Sequence, residues 1–185
     1  MIRGIFLVLI LFLNFQKLEA NEKKNILNEL NQTNSVSFSF VQKTNDLVEK
    51  GKCVLLFPKK LKCKYFDDKL KELIINDNKM VVLQKRYNKS YFYPISKSPF
   101  INILDKEKLV EIIKNGDIQK NKNEIQLIHK DNLNYKIIIM FSKKDFRLMG
   151  WTINDQYNNE VVFLIKIESV NEKIKKNNFT IPYIN

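Results

Sequence analysis

The chain has 185 residues, 44% of them hydrophobic, and 32 Lys and Arg against 20 Asp and Glu give it a formal net charge of +12. That length suits one domain with a full core and leaves little for a second. Two Cys, one His and four Gly are too few for a four-ligand structural zinc site or a glycine-rich phosphate loop.

Residues 1–20 read as a secretory signal. Arg3 supplies the positive start, Ile5 to Phe15 is apolar except for Asn14, and Leu18, Glu19 and Ala20 form a small-residue cleavage site. The apolar run is shorter than the roughly 20 residues that a membrane helix needs, so a soluble, exported protein is expected. Cleavage after Ala20 removes Arg3, Lys17 and Glu19 and leaves 165 residues, with 30 cations against 19 anions. Neither Cys lies near that site to carry a lipid anchor. No Pro, Gly or Ser linker and no internal repeat divides residues 21–185, which are expected to form a single domain. The excess Lys is scattered among Asn and Ile without blocks that interleave with aromatics. It reads as solvated surface in a chain from an AT-rich genome rather than as a nucleic-acid platform.

Ile26, Leu27 and Leu30 fall at helical spacing and predict a short amphipathic helix ending before Asn34. From Ser35 the period becomes two, with Val36, Phe38 and Phe40 on one face of a strand. Leu55 and Phe57 precede Pro58, and Leu61, Cys63 and Tyr65 follow it in alternation with a row of Lys, which predicts a hairpin turning at Pro58. A second hairpin turns at Asn76, Asp77 and Asn78, residue types that tolerate a left-handed backbone. A further strand ends at Tyr93. Ser98 and Pro99 then open a helix carrying Phe100, Ile101, Ile103 and Leu104, and Asp105 caps another, with Leu109, Val110, Ile112 and Ile113, that Asn115 and Gly116 terminate. Four more strand patterns follow, around Ile125 to His129, Tyr135 to Phe141, Phe146 to Ile153 and Val161 to Ile167. Strand after strand with short turns implies an antiparallel sheet that curls into a complete or incomplete barrel, with the helices closing its open side over an apolar cavity.

Catalytic constellations are missing from this pattern. His129 is the one His, it stands in a strand, and no acid or nucleophile motif accompanies it. The chain is therefore expected not to be an enzyme and to use neither cofactor nor metal. Cys53 and Cys63 lie five residues either side of Pro58, on the inward set of their strands. An oxidising compartment permits a disulfide between them, and two buried thiols acting as small hydrophobes fit the pattern equally.

Four stretches in this order resemble the LolA family of periplasmic lipoprotein carriers: Phe40-Val41-Gln42; Gly51 to Tyr65 with its central proline; Pro94-Ile95-Ser96-Lys97-Ser98-Pro99-Phe100; and Trp151 to Leu164. The resemblance implies an incomplete, strongly curved antiparallel barrel with an N-terminal helix and a short helical lid. It also implies a monomeric chaperone that shields the acyl chains of lipoproteins between the inner and outer membranes. By similarity the cavity is lined by Phe40, Cys53, Leu55, Phe57, Leu61, Cys63 and Tyr65, and the lid carries Pro99, Phe100, Ile103 and Leu104. Cargo would come from an inner-membrane ABC-type lipoprotein-releasing complex and leave to an outer-membrane lipoprotein receptor. The alternative is a periplasmic domain of the same fold that senses lipid or lipoprotein and carries nothing. One departure matters: the family places Arg immediately before the proline, where it hydrogen-bonds to the lid, and here Phe57 stands there. The polar latch must be absent or replaced.

Overall fold

Period-two alternation is satisfied when each strand turns one side to a common core and bonds through its backbone to two neighbours. In a computed structural model, which describes residues 21–95, 101–130, 136–154 and 159–182, this happens eleven times in a single antiparallel sheet. Helix α1 (21–32) leads into β1 (Ser35–Thr44), which turns back through β2 (Leu47–Leu56). Then come β3 (Lys60–Tyr65), β4 (Lys71–Asn76), β5 (Lys79–Gln84) and β6 (Lys89–Pro94). Two helices interrupt the sheet, α2 (Ile101–Leu104) and α3 (Lys106–Asn115). The second half runs β7 (Asp117–Lys120), β8 (Glu124–Lys130), β9 (Lys136–Ser142), β10 (Leu148–Asn154) and β11 (Glu160–Val170).

Each half is a meander, and β1 paired with β11 joins them, so the spatial order is β6-β5-β4-β3-β2-β1-β11-β10-β9-β8-β7. The sheet does not close: β6 and β7 are its two ends. It is the open half-barrel among the outcomes the strand pattern allowed. Strand β7 is absent from the sequence reading because only Ile118 in its four residues is apolar. The signal segment, Ser98, Pro99, Phe100 and Tyr135 lie outside the described residues.

Turn chemistry follows the residues. Asp77 takes a positive φ of 55° in the β4–β5 turn, and Asn45, at 53°, does the same between β1 and β2. Asp105 caps α3 by accepting from the Glu107 amide. Gly116 ends that helix with extended backbone, and its lack of a side chain has a packing cause: a Cβ there would sit 2.6 Å from Leu127 Cδ2.

The core lies on the concave face. Val36, Phe38 and Phe40 of β1, Ile26 and Leu30 of α1, and Ile103, Leu104, Leu109, Ile112 and Ile113 of the two later helices belong to one buried cluster. A smaller cluster of Ile74, Val81 and Leu83 sits on the opposite, convex face, which is why β4 and β5 read as nearly unbroken apolar runs. The row of Lys beside β3 is not wholly solvated. A 3-10 turn, Lys176–Phe179, sets the fully buried Phe179 among the stems of Lys52, Lys62 and Lys64.

Candidate functional site

The concave face is built on a row of four aromatic rings that crosses five strands, from β3 to β10. Tyr65 meets Phe40 edge-on at 5.0 Å between ring centroids, Phe40 stacks on Phe163 at 4.7 Å, and Phe163 stacks on Trp151 at 4.4 Å. Gly51 makes this possible. It lies opposite Phe40 in the β1–β2 ladder, where a Cβ would come within 2.7 Å of the Phe40 ring and 2.2 Å of the Lys64 carbonyl.

Beyond Tyr65 the floor becomes polar. Lys71 pairs with Glu49 and stands 3.8 Å from the centre of the Tyr65 ring, whose hydroxyl donates to Gln42 Oε1 at 3.3 Å. Burial, reinforced by the charges of Glu49 and Asp67, pushes the Tyr65 phenol above its ordinary value, so it stays a neutral donor.

Cys53 and Cys63 are directly opposite in the β2–β3 ladder and are joined by a disulfide, both nearly inaccessible to solvent. Phe40, Leu55 and Leu61 are buried beside them, whereas Phe57 and Tyr65 are half-buried at the margins. Ile103 and Leu104 of α2 are buried in the same cluster. The two remaining lid candidates, Pro99 and Phe100, lie outside the described residues.

Among the described residues, helix side chains occupy much of the hollow expected from sequence. An apolar cavity of about 50 Å³ lies there between α1, α3 and the sheet, the space of a water molecule or two. Of the residues named from sequence, Leu55 and Phe57 line it; most of its remaining wall is apolar, with Ile26 and Leu30 from α1, Leu109 from α3 and Val36, Phe38, Phe141, Ile165 and Ile167 from the sheet, and Glu29 and Arg147 stand at its polar edge. These were missed because only the resemblance, not alternation, selected lining residues. The reason for the filling is energetic: at ~24 cal/mol per Å³, an empty hollow of about 300 Å³ would cost roughly 7 kcal/mol. The helices of the described residues occupy the concavity accordingly.

Polar ties at the rim hold them there. Lys59, in the turn after Pro58, forms an ion pair with Asp105 at 2.9 Å, and its backbone amide donates to the Leu104 carbonyl at 3.0 Å. The hydrogen bond to Asp105 raises the Lys59 ammonium above its ordinary value. Burial pushes the Asp105 carboxyl up, but Lys59 and the amides of Lys108 and Glu107 outweigh that and hold it below the carboxylate range. The polar link absent from Phe57 is thus supplied two residues further on. Lys106, whose ammonium is lowered by burial, donates to the carbonyls of Asn31 and Thr33 and ties α3 to the end of α1. Arg147 pairs with Glu29 at 2.9 Å and Lys120 with Glu22 at 2.9 Å, fastening α1 to the entry of β10 and to β7.

Among the described residues, no group of three or more His, Cys, Asp or Glu could hold a metal ion, and no helix is long and apolar enough to cross a membrane. An open antiparallel half-barrel whose apolar concave face is covered by short, rim-tied helices defines a class of binding fold. The family model for the outer membrane lipoprotein carrier protein LolA matches residues 31–182, and the chain belongs to that family. Among solved structures, it is similar to the Mycobacterium tuberculosis lipoprotein LppX, at 10% identity and a TM-score of 0.51, over 86% of this chain and 98% of that one. An uncharacterised conserved protein from Thermus thermophilus gives 9% identity and a TM-score of 0.50, over 86% and 93%. At such identities the likeness is one of fold. No curated protein sequence matches the chain.

Proposed function

We propose that this protein is a periplasmic carrier that takes the acyl chains of lipoproteins onto its concave face and moves them from the inner to the outer membrane. The carrying observation is that the apolar face is covered by helix side chains and not by strands. Acyl chains can replace those side chains without breaking the sheet ladder. Burial of an acyl chain is worth about 0.8 kcal/mol per methylene, or roughly 12 kcal/mol for a sixteen-carbon chain. That is enough to displace helices that each bury only a few aliphatic side chains, and small enough in net to let the cargo leave again. In this reading α2 and α3 swing about the Lys59–Asp105 tie, an inner-membrane ABC-type releasing complex loads the carrier, and an outer-membrane receptor unloads it.

The test mixes the secreted chain with a detergent-extracted lipoprotein, removes the detergent and looks for a soluble one-to-one complex by size-exclusion chromatography. Lipoprotein that precipitates as it does alone would reject the proposal. Depleting the protein in cells separates carriage from sensing, because loss of a carrier strands lipoproteins in the inner membrane and loss of a sensor does not.

A further inference from the structure

The sheet is split beside the cavity. The β1–β11 ladder runs as far as Val36 opposite Val170, but the β10–β11 ladder stops at Gly150 opposite Leu164. Residues 165–170 are therefore bonded on one side only among the described residues. Gly150 marks the point of divergence: its φ is +153°, the β9–β10 register shifts between Leu148 and Gly150, and a Cβ would lie 2.2 Å from the Phe163 carbonyl oxygen. Beyond it the chain bends away from β11 and opens a groove of about 980 Å³.

This groove adjoins the apolar cavity: Arg147, Leu148, Ile165, Ile167 and Val170 line both. Its outer rim is cationic. Arg147 is engaged with Glu29 and Lys143 with the Asn121 carbonyl, which leaves the exposed Lys122 and Lys144 without partners among the described residues. Of the groove's carboxylates, Glu168 is paired with Lys52, and Asp145 accepts from the Arg147 amide. An unpaired strand edge selects an extended main chain, and free cations at its rim select acidic side chains.

We infer that the groove is a strand-addition site for the extended, acidic peptide that immediately follows the acylated residue of the cargo, with its main chain pairing to residues 165–170 of β11. The inference rests on the carrier reading and deepens it: acyl chains enter the cavity while the peptide fills the adjoining groove. It assigns a peptide contact to a protein whose cavity alone would recognise only grease.

Three probes test it with the intact secreted chain: palmitate, a dipalmitoyl-cysteinyl hexapeptide bearing two Asp, and the same lipopeptide N-methylated along its backbone. The lipopeptide should bind about tenfold more tightly than the N-methylated form and should slow amide exchange at residues 165–170 by tenfold or more, whereas palmitate should leave those amides unprotected. Charge reversal of the exposed pair, K122E with K144E, should weaken the lipopeptide several-fold and leave palmitate unchanged. Equal affinity of the two lipopeptides without protection of β11 would overturn the inference while leaving the carrier reading intact. Failure of palmitate and the acyl groups to bind, with protection of β11 retained, would reject the carrier reading and support the groove.

Discussion

Ile113 offers a direct way to ask whether the helices give way to cargo. It lies on α3, fully buried, and its replacement by Ala removes three carbons from the closed form. Transfer alone accounts for about 2.4 kcal/mol, and the residual void brings the loss to roughly 3 kcal/mol. Ala is a better helix former than Ile, so α3 itself should persist. In a cargo-bound form with α3 lifted, Ile113 leaves its pocket and the substitution costs far less. Most of the 3 kcal/mol is then removed from the closed state's advantage, and apparent affinity should rise by up to about 150-fold while the closed state dominates. The same change should lower Tm by about 6 to 12 °C for a domain of this size. A mutation that destabilises the protein should therefore tighten its binding, measured by titrating a fluorescent fatty acid alongside a thermal melt. A lower Tm with unchanged or weaker binding would show that ligands do not displace α3.

Three further outcomes are expected. The Asp105 carboxyl is held below its usual value near 3.8, so its ion pair with Lys59 stabilises the fold fully above that pH and is lost as pH falls through the lower folded-state value. D105N, which keeps the cap acceptor but not the charge, should remove up to one proton from the acid limb of a stability-against-pH curve, and an unchanged limb would dismiss the link. Reducing the Cys53–Cys63 bridge, which joins residues ten apart, should cost about 2 to 3 kcal/mol by chemical denaturation, with C53A/C63A showing no sensitivity to reductant. F179A should cost about 3 to 5 kcal/mol, and accelerated proteolysis after Val170 should report release of the C-terminal segment from the convex face.

Much of the site was legible locally. Alternation in Val36 to Phe40 and in Leu61 to Tyr65 assigned the inward face, because a strand's side chains must alternate whatever it pairs with. The Asp105 cap and the apolar stripe of Leu109, Ile112 and Ile113 located α3 for a similar reason, since helix signals act within a few residues. The Lys59 tie was not legible. The resemblance directed attention to the position before the proline, while the cation that pairs with Asp105 depends on where the turn meets the start of α3 in space.

What the sequence by itself determined is therefore most of the elements, β7 excepted, their inward faces and the placing of the two cysteines either side of one hairpin turn, all of which arise from contacts close along the chain. Only the tertiary structure decided that β1 pairs with β11, that the helices occupy the hollow, that Phe179 returns to the convex face, and that β11 parts from β10 beyond Gly150. Those features join residues distant along the chain or turn on a single register shift. Periodicity carries no information about which strand lies next to which, because every strand with the same alternation presents the same face to any neighbour.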